Sequence, residues 1–233
     1  MSGEIANIIY PPRCPGCDAP LRHGESLCAD CRGSLRPRTG SSCMKCGKTI
    51  RSEEGLYCYD CSRKVHNYDR GYCIFEYEDV RESLYRFKYM GRSEYASYYA
   101  KVAYDAFGRV FKECGADALI PVPIHEKRRK KRGYNQAEEL AKELSKLCGI
   151  PVMEDVCIRS KSTVPLKNLN ESERINNLKK AFIIARNDVK LKTIIIIDDI
   201  YTTGSTIDAI SALFRTIGVE NIYFLAVAIG RGL

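Results

Sequence analysis

Beyond about residue 66 the chain alternates short apolar runs with amphipathic stretches. Tyr72 to Tyr77 reads as a strand, and helical spacing of apolar positions follows through Val80 to Met90 and from Tyr95 to Phe111. Ala118 to Val122 is a short apolar run ended by prolines. The next helix carries Ala137, Leu140, Ala141, Leu144, Leu147 and Cys148 on one stripe. Ala181 to Ala185 and Thr193 to Ile197 are further apolar runs. A last helix buries Ile207, Ile210, Leu213, Phe214 and Ile217, and the strand Ile222 to Ile229 closes the pattern. Such alternation predicts an α/β fold, a mostly parallel sheet with helices on its faces. Ligands in these sheets sit at the carboxyl ends of the strands, which directs attention to the loops after Val122 and Ile197. Tyr85, Tyr89, Tyr95, Tyr98, Tyr99 and Tyr104 fall at helical spacing and are expected to be packing residues rather than a base-stacking platform.

Residues 1–66 have another texture: polar, with too few large apolar side chains for a core of their own. Composition explains the difference. Of twelve cysteines among 233 residues, eight form four C-x-x-C pairs: Cys14/Cys17, Cys28/Cys31, Cys43/Cys46 and Cys58/Cys61. The spacing C-x2-C-x10-C-x2-C recurs as C-x2-C-x11-C-x2-C, an internal duplication. Two thiolates two residues apart converge on one tetrahedral ion, and two such knuckles close a four-cysteine site. A metal there would supply much of the folding free energy of the segment. No basic segment followed by an apolar one opens the chain, so export is not indicated, a disulfide scaffold is disfavoured and a cytoplasmic location is expected. A thioredoxin-like role would need one such pair beside a βαβ unit, not four in a row. The tandem repeat favours sequential pairing, first with second and third with fourth, over a cross-braced arrangement. Zinc is expected, one or two ions, with rubredoxin-like iron the other option. Four sulfurs leave no open coordination position, so the metal is structural. The longest apolar runs are too short to span a bilayer.

The run Ile194 to Ile197 is followed abruptly by Asp198 and Asp199, then by Ile200, Tyr201 and the turn Thr202-Thr203-Gly204-Ser205-Thr206, which opens a helix. Small hydroxyl residues and glycine let backbone N–H groups converge at a helix amino terminus, an anion cradle suited to a phosphate monoester. Carboxylates beside it are wrong for phosphate but right for accepting hydrogen bonds from ribose hydroxyls. Together they describe a site for a ribose 5-phosphate unit. The bland alternative is a strand ended by aspartates and a Ser/Thr helix cap. Neither a G-x-x-x-x-G-K loop nor a G-x-G-x-x-G fingerprint occurs.

Charge adds a second site. The net charge is +8, and Lys127 to Arg132 is a run of six cations that, with Glu126, contributes +5 of it. A block of like charge is expected to be a mobile loop when empty. Beside a phosphate site it suits pyrophosphate, and its closure would exclude water. His125 is the histidine nearest this loop, with a plain loop residue as its simplest reading.

The string Ile194 to Thr206 resembles the binding motif for phosphoribosyl pyrophosphate in type I phosphoribosyltransferases. The resemblance implies Asp198 and Asp199, the catalytic-site carboxylates, on the ribose 2- and 3-hydroxyls. It places the 5-phosphate on Thr202, Thr203, Gly204, Ser205 and Thr206. Over nearly the whole chain the match is to the ComF family, a competence-associated branch of these transferases. Residues 1–66 look like its double zinc ribbon and residues 67–233 like its transferase domain. Phe87-Lys88-Tyr89-Met90-Gly91-Arg92 resembles its Lys-Tyr-x-Gly segment, and Arg132-Gly133-Tyr134-Asn135-Gln136 its Arg-Gly-Phe-Asn-Gln segment. Glu173, Arg174 and Asn177 with Ala181-Phe182 resemble its Glu-Arg-x-x-Asn…Ala-Phe stretch. At Leu166 the family usually has Gln, so no polar contact is implied there.

Two functions follow as expectations. The first is an enzyme: magnesium chelated by pyrophosphate neutralises the leaving group, and a nitrogen nucleophile displaces it at C1. Lys88 and Arg132, with Val122 and Pro123 at the start of the loop, are the pyrophosphate candidates; no residue stands out as a general base. The second is a competence-related single-stranded DNA-handling protein with other DNA-uptake proteins as partners, its ribose-phosphate site regulatory or vestigial. The ribbons alone would suit a protein-docking surface. Acceptor and oligomeric state are not legible.

Overall fold

Four of the apolar runs pair into one parallel sheet of order β1-β6-β5-β2 in the computed structural model, which describes residues 11–50, 55–160, 181–186 and 188–230. The strands are β1 (Arg70–Glu76), β2 (Ala118–Pro121), β5 (Thr193–Tyr201) and β6 (Asn221–Ile229). Pairings such as Leu119↔Ile195, Ile197↔Leu225 and Tyr72↔Leu225 are all parallel, so the four carboxyl ends share one edge. This bears out the expected architecture, a mostly parallel sheet flanked by helices with a cysteine-rich region ahead of it. Ile194 to Ile197 are buried on both faces, as a central parallel strand requires.

After a short helix, α1 (Tyr59–Arg63), longer helices cover both faces. On one, α2 (Tyr77–Tyr89), α3 (Tyr95–Glu113) and α5 (Gln136–Cys148) pack on Ile195, Ile197, Leu225 and Val227. On the other, α6 (Ser205–Thr216) buries Ile207, Ile210 and Phe214 against Ile194, Ile196 and Phe224. Alternate residues of β5 thus serve opposite cores, the two-residue period of a strand. Tyr95, Tyr98 and Tyr99 are buried as expected of packing residues, whereas Tyr85 and Tyr89 are about half exposed on α2.

Two expectations are corrected. Ala181 to Ala185 does not join the sheet: β4 (Phe182–Ile184) pairs antiparallel with β3 (Cys157–Arg159) in a separate two-stranded ribbon. The second concerns the six-cation segment, which is a helix, α4 (Glu126–Arg132), and not a loop. His125 caps it by accepting from the Lys127 N–H, Gly133 ends it in the left-handed region, and Lys130 pairs with Glu126. Arg129 bridges to Glu138 at 2.9 Å and Arg132 donates to Gln136 at 2.8 Å. Local caps and acceptors outweigh the repulsion along the run. Leu166, Glu173, Arg174 and Asn177 lie outside the described residues.

The few apolar residues of the amino-terminal segment join these same cores. Leu21, Leu27 and Leu35 belong to the cluster on one face of the sheet, Ile50 with Cys43, Cys46 and Cys58 to the cluster on the other. The segment straddles β1, an edge strand. Lys45 O accepts from the Gly71 N–H at 2.7 Å, and the Arg38 N–H donates to Ile74 O at 2.8 Å. Polar ties add to this: Arg92 holds Asp18 with two bonds of 2.7 and 2.8 Å, Tyr95 donates to the same carboxylate, and Arg86 donates to Gly16 O. The Arg92 guanidinium keeps the Asp18 carboxyl down at about 2. The arginine of the Lys-Tyr-Met-Gly-Arg stretch therefore anchors the first cysteine site. Gly71 is required by close approach, since a Cβ there would lie 2.0 Å from the Phe224 ring.

Candidate functional site

The eight paired cysteines gather into two groups, Cys14, Cys17, Cys28, Cys31 and Cys43, Cys46, Cys58, Cys61, with sulfurs within 4.8 Å of one another in each. This is the sequential pairing that the repeat predicts. Neighbouring sulfurs lie 3.6 Å (Cys14, Cys28) and 3.7 Å (Cys17, Cys28; Cys46, Cys58) apart. The edge of a tetrahedron with metal–sulfur bonds of about 2.3 Å is about 3.8 Å, so the donor sets fit a tetrahedral thiolate site. The N–H groups of Cys28 and Lys48 point at Cys14 Sγ and Cys46 Sγ, each at 3.5 Å, as donors to thiolate sulfur would. The twelve cysteines are all free of disulfides.

At the sheet's carboxyl edge β5 ends in Asp198 and Asp199, both partly buried. Lys88, near the end of α2, reaches Asp199 Oδ1 at 2.9 Å. One cation thus faces two carboxylates. Asp198 keeps only the Asp199 N–H, at 2.8 Å, among the described contacts. Burial and the charge of Asp199 push the Asp198 carboxyl up to about 8. A carboxyl held this way is poised for donors that arrive with a ligand.

Tyr201, Thr202, Thr203 and Gly204 then turn the chain into α6. Gly204, at φ 76°, precedes its first residue, and no side chain caps the helix. Among the described residues the first-turn N–H groups have no partner, and the hydroxyls of Thr203 and Ser205 bond each other at 2.9 Å, which leaves one of their two protons for an anion. A Cβ on Gly204 would meet Tyr201 Oη at 2.6 Å, and that hydroxyl already bonds Tyr68 Oη at 2.7 Å. Gly204→Ala combines strain at positive φ with a clash and should cost about 1–3 kcal/mol. It should also abolish ribose 5-phosphate binding by calorimetry while both cysteine sites stay loaded; unchanged affinity would show that the turn does not form the cradle.

The loop after β2 lies alongside. The Val122 N–H donates to Ile197 O at 2.9 Å, and Asn135 Nδ2 donates to Val122 O at 3.0 Å. Val122 is thereby held at the end of the β2–β5 register, beside Asp198, and Pro123 follows it in sequence. Arg132 is turned toward α2: it donates to Tyr89 Oη at 3.2 Å and stacks over that ring. So Lys88 pairs with Asp199 and Val122 follows in register beside Asp198, while no hydrogen bond or ion pair of Arg132 with the carboxylates occurs among the described residues. Thr202 and Thr206 lie in the turn and the first helical turn, where their sequence positions put them.

Sequence reasoning missed the group that meets α6 from behind. Asp208 accepts from His66 Nδ1 at 2.8 Å and from the Asn67 N–H at 3.0 Å, and pairs with Lys64 at 3.3 Å. Some 142 residues separate His66 from Asp208, beyond any local spacing signal.

Comparisons with known proteins match two parts of the chain separately. Residues 5–62 match the family model of the double zinc ribbon domain, and residues 130–232 that of the phosphoribosyl transferase domain. Competence protein F of Haemophilus influenzae is 41% identical over 108 residues, 46% of this chain and 47% of that protein, so the chain spans about half the length of that relative. Competence protein ComFC of Bacillus subtilis is 27% identical over 231 residues, covering 89% of this chain and 90% of that protein. A purine phosphoribosyltransferase structure from Pyrococcus horikoshii Ot3 overlays with a TM-score of 0.37 at 18% identity, covering 57% of this chain and 73% of that one. Among the described residues no helix is long and apolar enough to cross a membrane.

Proposed function

Because the chain belongs to the ComF family, a double zinc ribbon ahead of a type I phosphoribosyltransferase-like fold, we propose that it binds phosphoribosyl pyrophosphate at the carboxyl ends of β2 and β5 and transfers the phosphoribosyl group to a nitrogen acceptor. The observation that carries this reading is the pair Asp198 and Asp199, short of cations, set against an uncapped helix start built from Thr202 to Thr206. Ribose hydroxyls donate to the two carboxylates and the 5-phosphate takes the first-turn N–H groups. Lys88 stands between the ribose carboxylates and the leaving group, with Val122 and Pro123 flooring the pyrophosphate side and Arg132 reaching it by releasing Tyr89. The C1–O bond breaks with its electron pair leaving on pyrophosphate, the nitrogen lone pair forms the new bond to C1, and the nitrogen's proton passes to solvent. The protein contributes positioning and charge. Magnesium chelated by the pyrophosphate would neutralise the leaving group, and Asp198 and Asp199 would offer it oxygen donors.

We place zinc, in a structural role, on each cysteine site, and the boundary between the two modules at residues 66 and 67. A cytoplasmic setting belongs to the same proposal. A second reading, single-stranded DNA handling, is favoured by one surface: Tyr85 and Tyr89 stand exposed 5.2 Å apart, beside Lys131 and with Arg132 stacked 4.8 Å over Tyr89. On that reading other DNA-uptake proteins are partners and the phosphoribosyl site is regulatory or vestigial.

Calorimetric titration of phosphoribosyl pyrophosphate with Mg²⁺ tests the first reading. Wild type is expected to bind, and Asp198→Asn or Asp199→Asn to bind about 10- to 100-fold more weakly, the value of one or two hydrogen bonds to a charged group. No binding by wild type sinks the site. Binding without turnover across amine and base acceptors would move the assignment to the second reading.

A further inference from the structure

The second cysteine site and the phosphate turn are joined by one short segment, Lys64 to Tyr68, and every residue of it but Val65 contacts that turn, Tyr201 before it or the helix it opens. His66 is buried between them: one ring nitrogen, Nε2, faces Cys61 Sγ at 3.7 Å and the other, Nδ1, bonds Asp208 Oδ2 at 2.8 Å. The Asn67 N–H holds the second oxygen of Asp208 at 3.0 Å, and Asn67 Nδ2 donates to Asp208 O at 3.4 Å. Tyr68 stacks on His66 at 4.8 Å and bonds Tyr201 Oη, the hydroxyl packed against Gly204. Lys64 Nζ lies 3.5 Å from Thr203 O and 3.3 Å from Asp208, on the rim of the cradle and partly exposed.

Resting on the phosphate-site reading above, we propose that this segment makes the second cysteine site and the phosphate turn one linked unit. Lys64 supplies a cation to the bound phosphate, and His66 is a positioning residue through which metal on the cysteines and phosphate on the turn strengthen each other's binding. The physical reason is shared geometry. Metal fixes Cys61, Cys61 fixes one side of the His66 ring, and the ring fixes the first turn of α6 through Asp208. Without metal Cys61 is released, the ring keeps only Asp208 and the Tyr68 stack, and Lys64 loses its fixed distance from Thr203. Linkage requires the converse: an anion that orders the first turn of α6 holds the ring and therefore Cys61. The first cysteine site has no such tie among the described residues, so it serves as an internal control.

The test uses the full chain loaded with zinc on both sites and ribose 5-phosphate as the probe. Zinc release to a chromogenic chelator is followed with and without saturating ribose 5-phosphate, and ribose 5-phosphate affinity is measured separately by calorimetry. Expected is a slowing of about fivefold, the low end for coupled sites, in one of two release phases, the other being unmoved. His66→Phe, with zinc stoichiometry unchanged, should lose that protection, and Asp208→Asn should weaken it should the His66 variant fail to fold. Lys64→Ala should weaken ribose 5-phosphate binding about three- to fivefold, the yield of a partly exposed ion pair, without altering zinc release in the absence of ligand. Wild type that binds ribose 5-phosphate yet releases both zinc ions at unchanged rates overturns the linkage and leaves the phosphate site standing. Wild type that does not bind ribose 5-phosphate overturns both.

Discussion

Asp198→Asn is expected to melt at a higher temperature than wild type at pH 8.5, with the difference shrinking as pH falls toward 4. In the unfolded chain the Asp198 carboxyl releases its proton near 3.8, as an ordinary aspartate does; in the folded protein, burial and Asp199 hold it to about 8. Below 3.8 both states keep the proton and nothing is lost. Between these values the unfolded chain is the more deprotonated, so stability declines as pH rises, and above 8 the loss is complete. At about 1.4 kcal/mol for each pH unit the ceiling of this loss is about 6 kcal/mol. Asparagine has no proton to release and can still accept the Asp199 N–H, so it removes the decline. Recovery of even 2 kcal/mol corresponds to a rise of about 4–8 °C for a chain of this size. Calorimetric scans at pH 5 and pH 8.5 decide the matter. A variant less stable than wild type at pH 8.5 would show that Asp198 is comfortably ionised, and the reading of an unsatisfied carboxyl awaiting a ribose would go with it. On the proposed function the same substitution is expected to weaken phosphoribosyl pyrophosphate binding, so the site would hold stability in reserve for its ligand.

The second large effect is metal removal. Chelation is expected to unfold residues 11–50 and 55–63 outright and to loosen β1 as well, because each cysteine site contributes on the order of 10 kcal/mol of folding free energy. That is comparable with the whole stability of an ordinary domain. The readout is amide exchange. The Gly71 N–H, bonded to Lys45 O, and the Arg38 N–H, bonded to Ile74 O, should exchange at least tenfold faster after chelation, while Ile195 and Ile196 in β5 stay slow. Equal exchange at Gly71 with and without metal would mean that the cysteine module does not guard that edge.

What the chain disclosed in advance was what its neighbours in sequence could disclose. The acidic strand end and the glycine turn were readable because Ile194 to Thr206 are consecutive, and the two cysteine clusters because each needs only paired knuckles ten or eleven residues apart. The sheet was readable from apolar runs. The basic segment went astray because its repulsion is visible in one line, whereas the counterweights are scattered: a cap from His125, a stop at Gly133, acceptors at Glu138 and Gln136. Nor does any periodicity place Ala181 to Ala185 beside Cys157 instead of in the main sheet. Lys88 on Asp199, Arg92 on Asp18 and His66 on Asp208 are long-range pairings, set only once the sheet has brought distant helices together.

The position of β1 has a consequence for the order of events during synthesis. This strand follows the cysteine module directly, yet its partner is β6, the last strand of the sheet, with Tyr72 opposite Leu225. Closing that pairing encloses about 150 residues, at an entropic cost that grows only slowly with length. As the chain emerges from the ribosome the two cysteine sites are complete long before β6 exists. The module can therefore take up its metal and shield one side of β1 early, while the other side waits, unpaired, for the carboxyl-terminal strand. A nascent chain interrupted before Asn221 carries a metal-loaded head beside an open strand edge, so its first risk is pairing with another chain.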